Sequence, residues 1–229
     1  MLNMELIDFH SHIIPRADHG SSSTDETIVQ LKYASKYGIE RIIATPHFYP
    51  HVENVEAFIK RRNICFDRLK ARYSNESPQI ILGAEVLICD NIEEMPMLDE
   101  VCISGTNILL LELPFTDFSD SYIYSVKALI NNGYTIVIAH ADRYDPRNID
   151  KLILAGAYVQ LNADAISGLF IPKHIKKWLS DERVFALGSD IHGPDKKAYK
   201  NFSRAIRKLG EMIQPIKKYS DTVWYQRKK

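Results

Sequence analysis

Short, continuous apolar runs separated by more polar stretches dominate the hydrophobic pattern of this chain. Such runs are typical of strands buried in a parallel sheet. Seven of them can be recognised before any other feature is considered. They are Leu6–Phe9, Arg41–Pro46, Ile80–Ala84, Ile108–Leu111, Thr135–Ala139, Tyr158–Leu161 and Val184–Ser189.

The stretches between these runs carry helix signals. Ser23 and Glu26 form the pattern of a capping box, and Gly38 is a plausible end for the helix that follows. Further helices are predicted over residues 53–73, 119–132, 146–156, 172–180 and 195–210. The segment 86–107 shows no clear helix and is expected to be irregular. Strand and helix therefore alternate, which predicts a parallel sheet with right-handed crossovers.

Length and charge place the chain in a broad class. Its 229 residues predict one domain, 1–229, with a substantial core. The content of 45% hydrophobic and 25% charged residues is that of an ordinary globular protein. Lys and Arg total 29, and so do Asp and Glu, which argues against a nucleic-acid partner because such proteins usually carry a basic surplus.

Cysteine usage and the lack of long apolar stretches bear on the compartment. Cys65, Cys89 and Cys102 are far apart and odd in number, which favours a reducing compartment over a disulfide framework. The first residues include Glu5 and Asp8 and do not read as a signal peptide. No stretch approaches the roughly 20 apolar residues that span a bilayer, so we expect a cytoplasmic protein without membrane insertion.

Side chains that can bind a metal or take part in catalysis stand where the apolar runs end. Six of the seven endings carry a His, Asp or Glu, and only the run that ends at Asn162 does not. His10 and His12 share one side of an extended segment, as do Asp190 and His192. If the strands close into a (β/α) barrel, their C-terminal ends converge on the face where such barrels hold their active sites. The expected metal ligands at these ends are His10, His12, His47, Glu85, Glu112, His140, Asp190 and His192.

The type of these ligands restricts the metal. The set contains no cysteine, and mixed imidazole and carboxylate ligands suit Mn, Fe or Zn. The candidates exceed what one ion needs, so two or three ions are expected. Neighbouring ions can stabilise both the attacking and the leaving oxygen of an in-line displacement, which suits phosphoryl transfer to water.

Longer motifs around these residues resemble one family. In order and spacing they are similar to the polymerase and histidinol phosphatase (PHP) superfamily over roughly residues 5–200. Within it, they resemble the bacterial manganese-dependent protein tyrosine phosphatases encoded with capsule and exopolysaccharide genes. The motifs are Asp8–His12, Ala44–His47, Gly83–Glu85, Leu111–Pro114, Ile138–Arg143 and Gly188–His192.

The resemblance implies a fold, a cofactor and a partner. It implies a distorted seven-stranded (β/α) barrel with a trinuclear centre, often manganese. It also implies removal of phosphate from phosphotyrosines of a tyrosine autokinase that controls polysaccharide export. His19 stands where the family has a ligand aspartate, so the resemblance makes His19 the ninth ligand, with Asp18 as the alternative.

Three residues are candidates for direct roles in catalysis. Arg143 matches a family arginine that grips the substrate phosphate, and guanidinium suits that role through bidentate hydrogen bonds. The alternative for Arg143 is a surface pair with Asp142 or Asp145. Asp190 or His192 is a candidate to protonate the leaving phenolate.

Other interpretations stay open at this point. The first is a small-molecule phosphatase of the same superfamily, acting on a substrate such as histidinol phosphate. A nuclease module and a non-catalytic partner of the kinase are further alternatives. The aromatic segment Phe48–His51 and Phe115 could each wall a phosphotyrosine ring, pack internally or contact a second copy. The oligomeric state is open, a homo-oligomer included.

Overall fold

The strands follow the seven apolar runs, but in two of the runs the strand stops two residues before the end of the run and a second strand starts directly after the run. The computed structural model describes residues 6–73 and 78–225. The strands are β1 Leu6–Ser11, β2 Ile39–Ala44, β3 His47–Phe48, β4 Gln79–Leu82, β5 Glu85–Leu87, β6 Ile108–Glu112, β7 Thr135–Ile138, β8 Tyr158–Asn162 and β9 Val184–Gly188.

The strands form two parallel sheets. One has the order β1-β2-β4, and the other has the order β3-β5-β6-β7-β8-β9. Neighbouring strands in both sheets are parallel. The molecule therefore has the mixed α/β architecture with parallel sheets that the alternating pattern predicts.

The two breaks, between β2 and β3 and between β4 and β5, divide the strands between two sheets. Pro46 interrupts the second run because it has no backbone N–H to donate, and its carbonyl instead accepts a hydrogen bond from the Glu85 amide at 3.1 Å. Gly83 interrupts the third run and donates to the Ala44 carbonyl at 2.9 Å. The strands before these two breaks thus belong to the smaller sheet, and the strands after them belong to the larger one.

The first and last strands also meet. Ser11, the last residue of β1, forms an isolated parallel bridge with Ile191, which lies just beyond β9. The Asp190 amide donates to the His10 carbonyl at 2.8 Å, and the His12 amide donates to the Ile191 carbonyl at 3.1 Å. Two sequence-distant pairs of candidate ligands therefore lie on adjacent chain segments.

The helices agree with most of the predicted bounds. They are α1 Thr24–Lys36, α2 Val55–Lys70, α3 Ser121–Asn131, α4 Pro146–Leu154, α5 Ala163–Ser167, α6 Lys173–Ser180, α7 Lys196–Leu209 and α8 Ile213–Tyr225. The short helix α5 and the last helix α8 were not predicted. The segment 86–107 contains only two 3₁₀ turns, Ile92–Glu94 and Leu98–Val101, beyond the end of β5, which confirms its irregular character.

Local capping explains the start of α1, and packing explains α8. Ser23 Oγ accepts from the Glu26 amide at 3.2 Å, while Glu26 Oε2 accepts from Ser22, one residue before the cap. Helix α8 buries Ile216 and Val223 and packs on β9. No helix among residues 6–73 and 78–225 is long and apolar enough to cross a membrane.

Candidate metal centre

The ligands predicted at the strand ends come together in space. His10 and His12 lie at the end of β1, and His47, Glu85 and Glu112 lie on β3, β5 and β6. All five are at most 6% exposed. Because parallel strands present their C-terminal ends on one side, residues far apart in sequence form one polar cluster inside an otherwise apolar core.

Ligand atoms of this cluster fall into three overlapping groups that could each hold a metal ion. Within each group the atoms lie within 4.8 Å of one another. Each pair of groups shares one residue. The groups are His12, His47 and His192; His10, His12, Glu85 and Asp190; and His47, Glu85 and Glu112. The cluster is therefore able to bind metals.

Glu85 is the centre of the cluster. Its Oε2 lies 3.1 Å from His10 Nε2, 3.2 Å from His12 Nε2 and 3.0 Å from His47 Nδ1. Its Oε1 lies 2.8 Å from His140 Nε2. One carboxylate thus faces four imidazole nitrogens, which brings the predicted ligand His140 into the cluster.

Two histidines of the cluster have one ring nitrogen occupied by an outer acceptor. His12 Nδ1 lies 2.6 Å from Asp18 Oδ2, and His192 Nδ1 lies 2.9 Å from the Asp190 carbonyl oxygen. Both acceptors require a hydrogen on Nδ1, so in the neutral ring that a metal ion requires, Nε2 carries the lone pair. Metal-binding histidines usually show this arrangement.

The loop at residues 18–20 gives its two candidate ligands, Asp18 and His19, different surroundings. Asp18 Oδ2 is occupied by His12 and by the His47 amide at 2.9 Å, and its Oδ1 accepts from the Gly20 amide. The exposed His19 ring stacks on His47 at 4.6 Å between centroids and lies 4.9 Å from the ring of His192. Asp18 therefore acts as an orienting acceptor, and the ring of His19 lies beside the cluster.

Gly20 allows this loop to lie against the first histidine pair. A Cβ atom at residue 20 would come within 2.4 Å of His12 Cβ and of the His12 carbonyl oxygen. Any side chain there would displace either the loop or His12. The position thus requires glycine for close backbone approach.

Two candidate ligands have left-handed backbone conformations. His140 has φ 29° and Asp190 has φ 51°. Non-glycine residues rarely adopt positive φ, and such strain is concentrated at functional sites. Here the unusual turn follows directly after β7 and β9 and accompanies side chains that face the cluster.

The carboxylates of the cluster stay ionised despite burial. Burial raises the pKa of Glu85, but the charge of His10 and the close imidazole rings of His10 and His12 outweigh it and hold the pKa well below 4.5. The pKa of Asp190 is likewise lowered, against burial, by the charges of His10 and His12. The pKa of Glu112 is lowered as well.

The histidines supply the compensating charge in the absence of metal. Burial lowers the pKa of His12, but hydrogen bonds to Asp18 and Asp190 raise it well above 6.5. For His140, burial is outweighed by hydrogen bonds to Glu112 and Glu85, which raise its pKa to about 9. Both shifts favour the positively charged ring beside the carboxylates, which is the charge that a divalent ion would provide there.

The residues present fit a metal by a further criterion. Among the described residues, His47 Nδ1, Glu85 Oε2 and His140 Nδ1 are buried without a hydrogen-bond partner. Two of these atoms, His47 Nδ1 and Glu85 Oε2, are 3.0 Å apart but not aligned as donor and acceptor. Buried polar atoms without partners are rare and call for a ligand, a water or an ion.

Arg143 has a different partner from either of those expected. Its Nη2 lies 2.5 Å from Asp190 Oδ2. Asp145 instead pairs with Arg147, and Asp142 Oδ1 accepts from the Asn162 amide. The arginine thus stands at the edge of the cluster, with 44% of its side chain exposed.

Of the aromatic residues near the centre, one packs internally and two stack on candidate metal ligands. Phe48 is fully buried against Phe58, so it packs internally. The ring of Tyr49 stacks on His47 with 5.1 Å between centroids. Phe115 is 70% exposed and stacks on His140 at 6.1 Å.

A cavity of about 280 Å³ lies beside Phe115. Tyr144 and Arg143 also line this cavity, and Tyr144 stacks on Phe115 and packs at a tilt against His140. An apolar ring surface and a guanidinium therefore lie together next to a candidate ligand.

Several polar residues of the site were missed by sequence reasoning. Asp8 is buried and accepts from the Ser189 amide at 2.7 Å and from Ser189 Oγ at 2.5 Å, and burial raises its pKa to about 6. Gln160 and Asn162 on β8 form hydrogen bonds to candidate metal ligands from outside the cluster. The available signal was a polar residue inside an apolar run, because a buried polar side chain must find a partner.

The fold and site define a class: an α/β protein with parallel sheets and a buried His/Glu/Asp cluster able to bind metals. The chain belongs to the CpsB/CapC family, described as capsular polysaccharide synthesis, whose family model matches residues 6–225. This family is consistent with the PHP superfamily resemblance of the motifs.

Individual relatives agree with this family. The chain is 28% identical over 176 residues to tyrosine-protein phosphatase YwqE of Bacillus subtilis, covering 72% of this chain and 67% of the relative. It is 26% identical over 205 residues to tyrosine-protein phosphatase CpsB of Streptococcus agalactiae, covering 83% and 84%.

A solved structure has the same fold. A chain from the crystal structures of YwqE from Bacillus subtilis and CpsB from Streptococcus pneumoniae, metal-dependent tyrosine phosphatases, matches with a TM-score of 0.78. The match has 22% identity and covers 97% of this chain and 94% of that one. At this identity the match supports the architecture of the whole chain.

Proposed function

We propose that this chain is a metal-dependent phosphomonoesterase that removes phosphate from tyrosine residues of proteins. The observation that carries the proposal is the convergence of His and carboxylate ligand atoms around Glu85 at the ends of parallel strands. The relatives named tyrosine-protein phosphatases support the same activity.

The proposed cofactor is Mn²⁺, in two or three copies, with Fe and Zn as the alternatives. Three overlapping ligand groups support more than one ion, and imidazole with carboxylate suits these metals. The proposed ligands are His10, His12, His19, His47, Glu85, Glu112, His140, Asp190 and His192.

The proposed chemistry divides between the ions and the protein. When bound, the ions would activate water and neutralise the phosphoryl oxygens. Arg143 would orient the phosphoryl group, because its exposed guanidinium keeps donors beyond the one that contacts Asp190.

Protonation of the leaving group is assigned to His192 or Asp190. Burial and the charge of His12 lower the pKa of His192 to about 4, and the pKa of Asp190 is also lowered. Neither group is protonated at neutral pH in the metal-free protein. Because a phenol has a pKa of about 10, its anion can leave without full protonation.

The finer architecture belongs to the same proposal. We propose that the seven runs close into a distorted seven-stranded (β/α) barrel that forms a single domain over 1–229. The order of the two sheets and the bridge between Ser11 and Ile191 support closure.

The proposed partner is a bacterial tyrosine autokinase that regulates capsular or exopolysaccharide synthesis. The family description supports a role in capsule synthesis. A cytoplasmic location is part of the proposal, and it is supported by three cysteines that are all free.

A substrate panel tests the activity. Enzyme loaded with Mn²⁺ should hydrolyse a phosphotyrosine peptide and para-nitrophenyl phosphate, and chelation followed by Mn²⁺ addition should abolish and restore both activities. Elemental analysis confirms each state. Undiminished activity in metal-free protein would contradict the metal mechanism, and faster turnover of histidinol phosphate than of the peptide would favour the small-molecule alternative.

A further inference from the structure

Strand β8 is the one apolar run whose end lacks a strong metal ligand, yet its polar side chains face the cluster. Gln160 is fully buried and Asn162 is 6% exposed. They are two residues apart on a strand and therefore lie on the same face. Gly188 leaves room for the side chains of Gln160 and His10, because a Cβ atom at residue 188 would come within 2.6 Å of Gln160 Nε2 and of His10 Cβ.

Gln160 determines which nitrogen of His10 carries hydrogen. The His140 amide donates to the Gln160 side chain at 2.7 Å, and an amide N–H can only donate, so the atom it meets is the oxygen Oε1. The same Oε1 lies 2.9 Å from His10 Nδ1, which must then donate as well. In the neutral ring that a metal ion requires, His10 Nε2 then keeps its lone pair, and this atom lies 3.1 Å from Glu85 Oε2.

The hydrogen bonds continue in one direction through Asn162. With Oε1 assigned, Gln160 Nε2 donates to Asn162 Oδ1 at 3.0 Å, so Asn162 Nδ2 donates to Asp190 Oδ2 at 3.3 Å. The other carboxylate oxygen, Asp190 Oδ1, lies 3.3 Å from His12 Nε2 inside the cluster. In this series of hydrogen bonds, the donor and acceptor roles of each side chain thus follow from those of the one before it.

We propose that Gln160 and Asn162 are positioning residues for a divalent cation that requires imidazole lone pairs and a carboxylate. They hold the tautomer of His10, the backbone of His140 and the orientation of Asp190. The proposal rests on the metal centre of the proposed function. Residues that hold metal ligands from outside typically change metal affinity 10- to 100-fold when they are replaced.

The test measures Mn²⁺ binding to metal-free protein by calorimetry, without reference to turnover. Gln160→Leu should weaken binding about 10- to 100-fold. Gln160→Glu keeps an acceptor for His10 Nδ1 and the His140 amide, so it should recover most of the affinity. Asn162→Ala should weaken binding without disturbing the His10 tautomer, which long-range ¹⁵N–¹H NMR reports.

A matched control exists within the chain. Gln30 on α1 is also fully buried, and in the described part of the chain its side-chain nitrogen and oxygen have no hydrogen-bond partner. Gln30→Leu is therefore the same substitution at the same burial in another place. It should leave Mn²⁺ affinity and the His10 tautomer unchanged.

The outcomes separate this inference from the proposed function. Wild-type affinity in folded Gln160→Leu, or an equal loss in Gln30→Leu, would overturn the positioning role. If Gln160→Leu does not fold, wild-type affinity in Asn162→Ala together with lost affinity in Gln160→Glu would overturn it instead. A wild-type protein that binds no divalent metal would overturn the metal centre and this inference together.

Discussion

Arg143 Nη2 lies 2.5 Å from Asp190 Oδ2, so the residue expected to hold phosphate contacts a candidate metal ligand directly. The other oxygen of that carboxylate, Oδ1, faces His10 and His12 at 3.6 and 3.3 Å. The two oxygens of Asp190 thus have separate partners. The arginine is attached to the centre without occupying the atom that faces the clustered nitrogens.

Replacing Arg143 should separate phosphate binding from metal binding. Arg143→Ala should lower kcat/KM for a phosphotyrosine peptide by about 10- to 150-fold, because a charge-assisted hydrogen bond contributes roughly 1.5–3 kcal/mol. Metal content should not change, and Arg143→Lys should recover only part, because lysine lacks the bidentate fork. Arg147→Ala, at an exposed arginine paired with Asp145, is the control. Metal loss in Arg143→Ala would show that the role is misassigned.

His19 should contribute to metal occupancy more than to the rate of the loaded enzyme. His19→Ala should lower the metal content measured by elemental analysis, with partial recovery in excess Mn²⁺. His19→Asp should bind Mn²⁺ at least as well as the native protein, because an anionic oxygen suits this harder ion. His174→Ala, whose ring contacts Trp178 on α6, serves as the control. Full occupancy and full rate in His19→Ala would rule out the ligand role.

Metal binding should release protons at neutral pH. The pKa of His140 is raised to about 9 by hydrogen bonds to Glu112 and Glu85, and the pKa of His12 is raised as well, so the protonated rings are favoured and must lose protons to bind a metal. Proton release should therefore accompany metal binding at pH 7, and apparent affinity should rise with pH. Calorimetry in buffers of different ionisation enthalpy measures this release. Release that is absent at pH 7, or that grows above pH 9, would contradict the assignment.

The cysteines should be dispensable for turnover. Cys65 and Cys102 are buried, and burial raises the pKa of Cys102 to about 12. The pKa of Cys89 is raised by burial and by nearby carboxylates. A thiol with a raised pKa is a poor nucleophile, so single replacements by alanine or serine should keep kcat in variants that circular dichroism shows to be folded. A folded variant with a rate reduced by orders of magnitude would point to a thiolate mechanism.

Phe115 should contribute to the preference for an aromatic leaving group. Its exposed ring lies beside the cavity that Arg143 lines, so Phe115→Ala should reduce kcat/KM for phosphotyrosine peptide about 2- to 10-fold, as expected for one aromatic contact. Phe170→Ala is the matched control, because Phe170 is 81% exposed and does not line that cavity. An equal effect of the two substitutions, measured on the same peptide, would exclude a specific role.

Much of the architecture was predictable because strand and helix signals are local. A run such as Ile108–Leu111 is apolar over its whole length, which already indicates burial on both faces and a parallel sheet. The ligand types followed from what stands directly after each run. The missed helix α8 shows the limit of this reasoning, since its place depends on packing against β9.

The tertiary structure alone decided which atoms meet. Asp8 and Ser189 are 181 residues apart, and His10 and Gln160 are 150 residues apart, yet both pairs are hydrogen-bonded. No local pattern encodes such a contact, because it depends on how far each strand extends and how its neighbours twist. The same is true of Asp18, whose identity as an orienting acceptor depends on a turn that brings it to His12.

The sequence by itself therefore determined the kinds of groups that the site contains and the strand ends that carry them. Hydrophobic periodicity, expected burial and residue type are properties of short segments, so they can be read from the sequence without knowledge of the fold. The tertiary structure decided the hydrogen-bond partners, and with them the ring nitrogens of His10, His12 and His192 that keep a free lone pair. A hydrogen bond forms only when the distance between its two heavy atoms is right to within a few tenths of an ångström. Only the folded chain brings these segments to such distances.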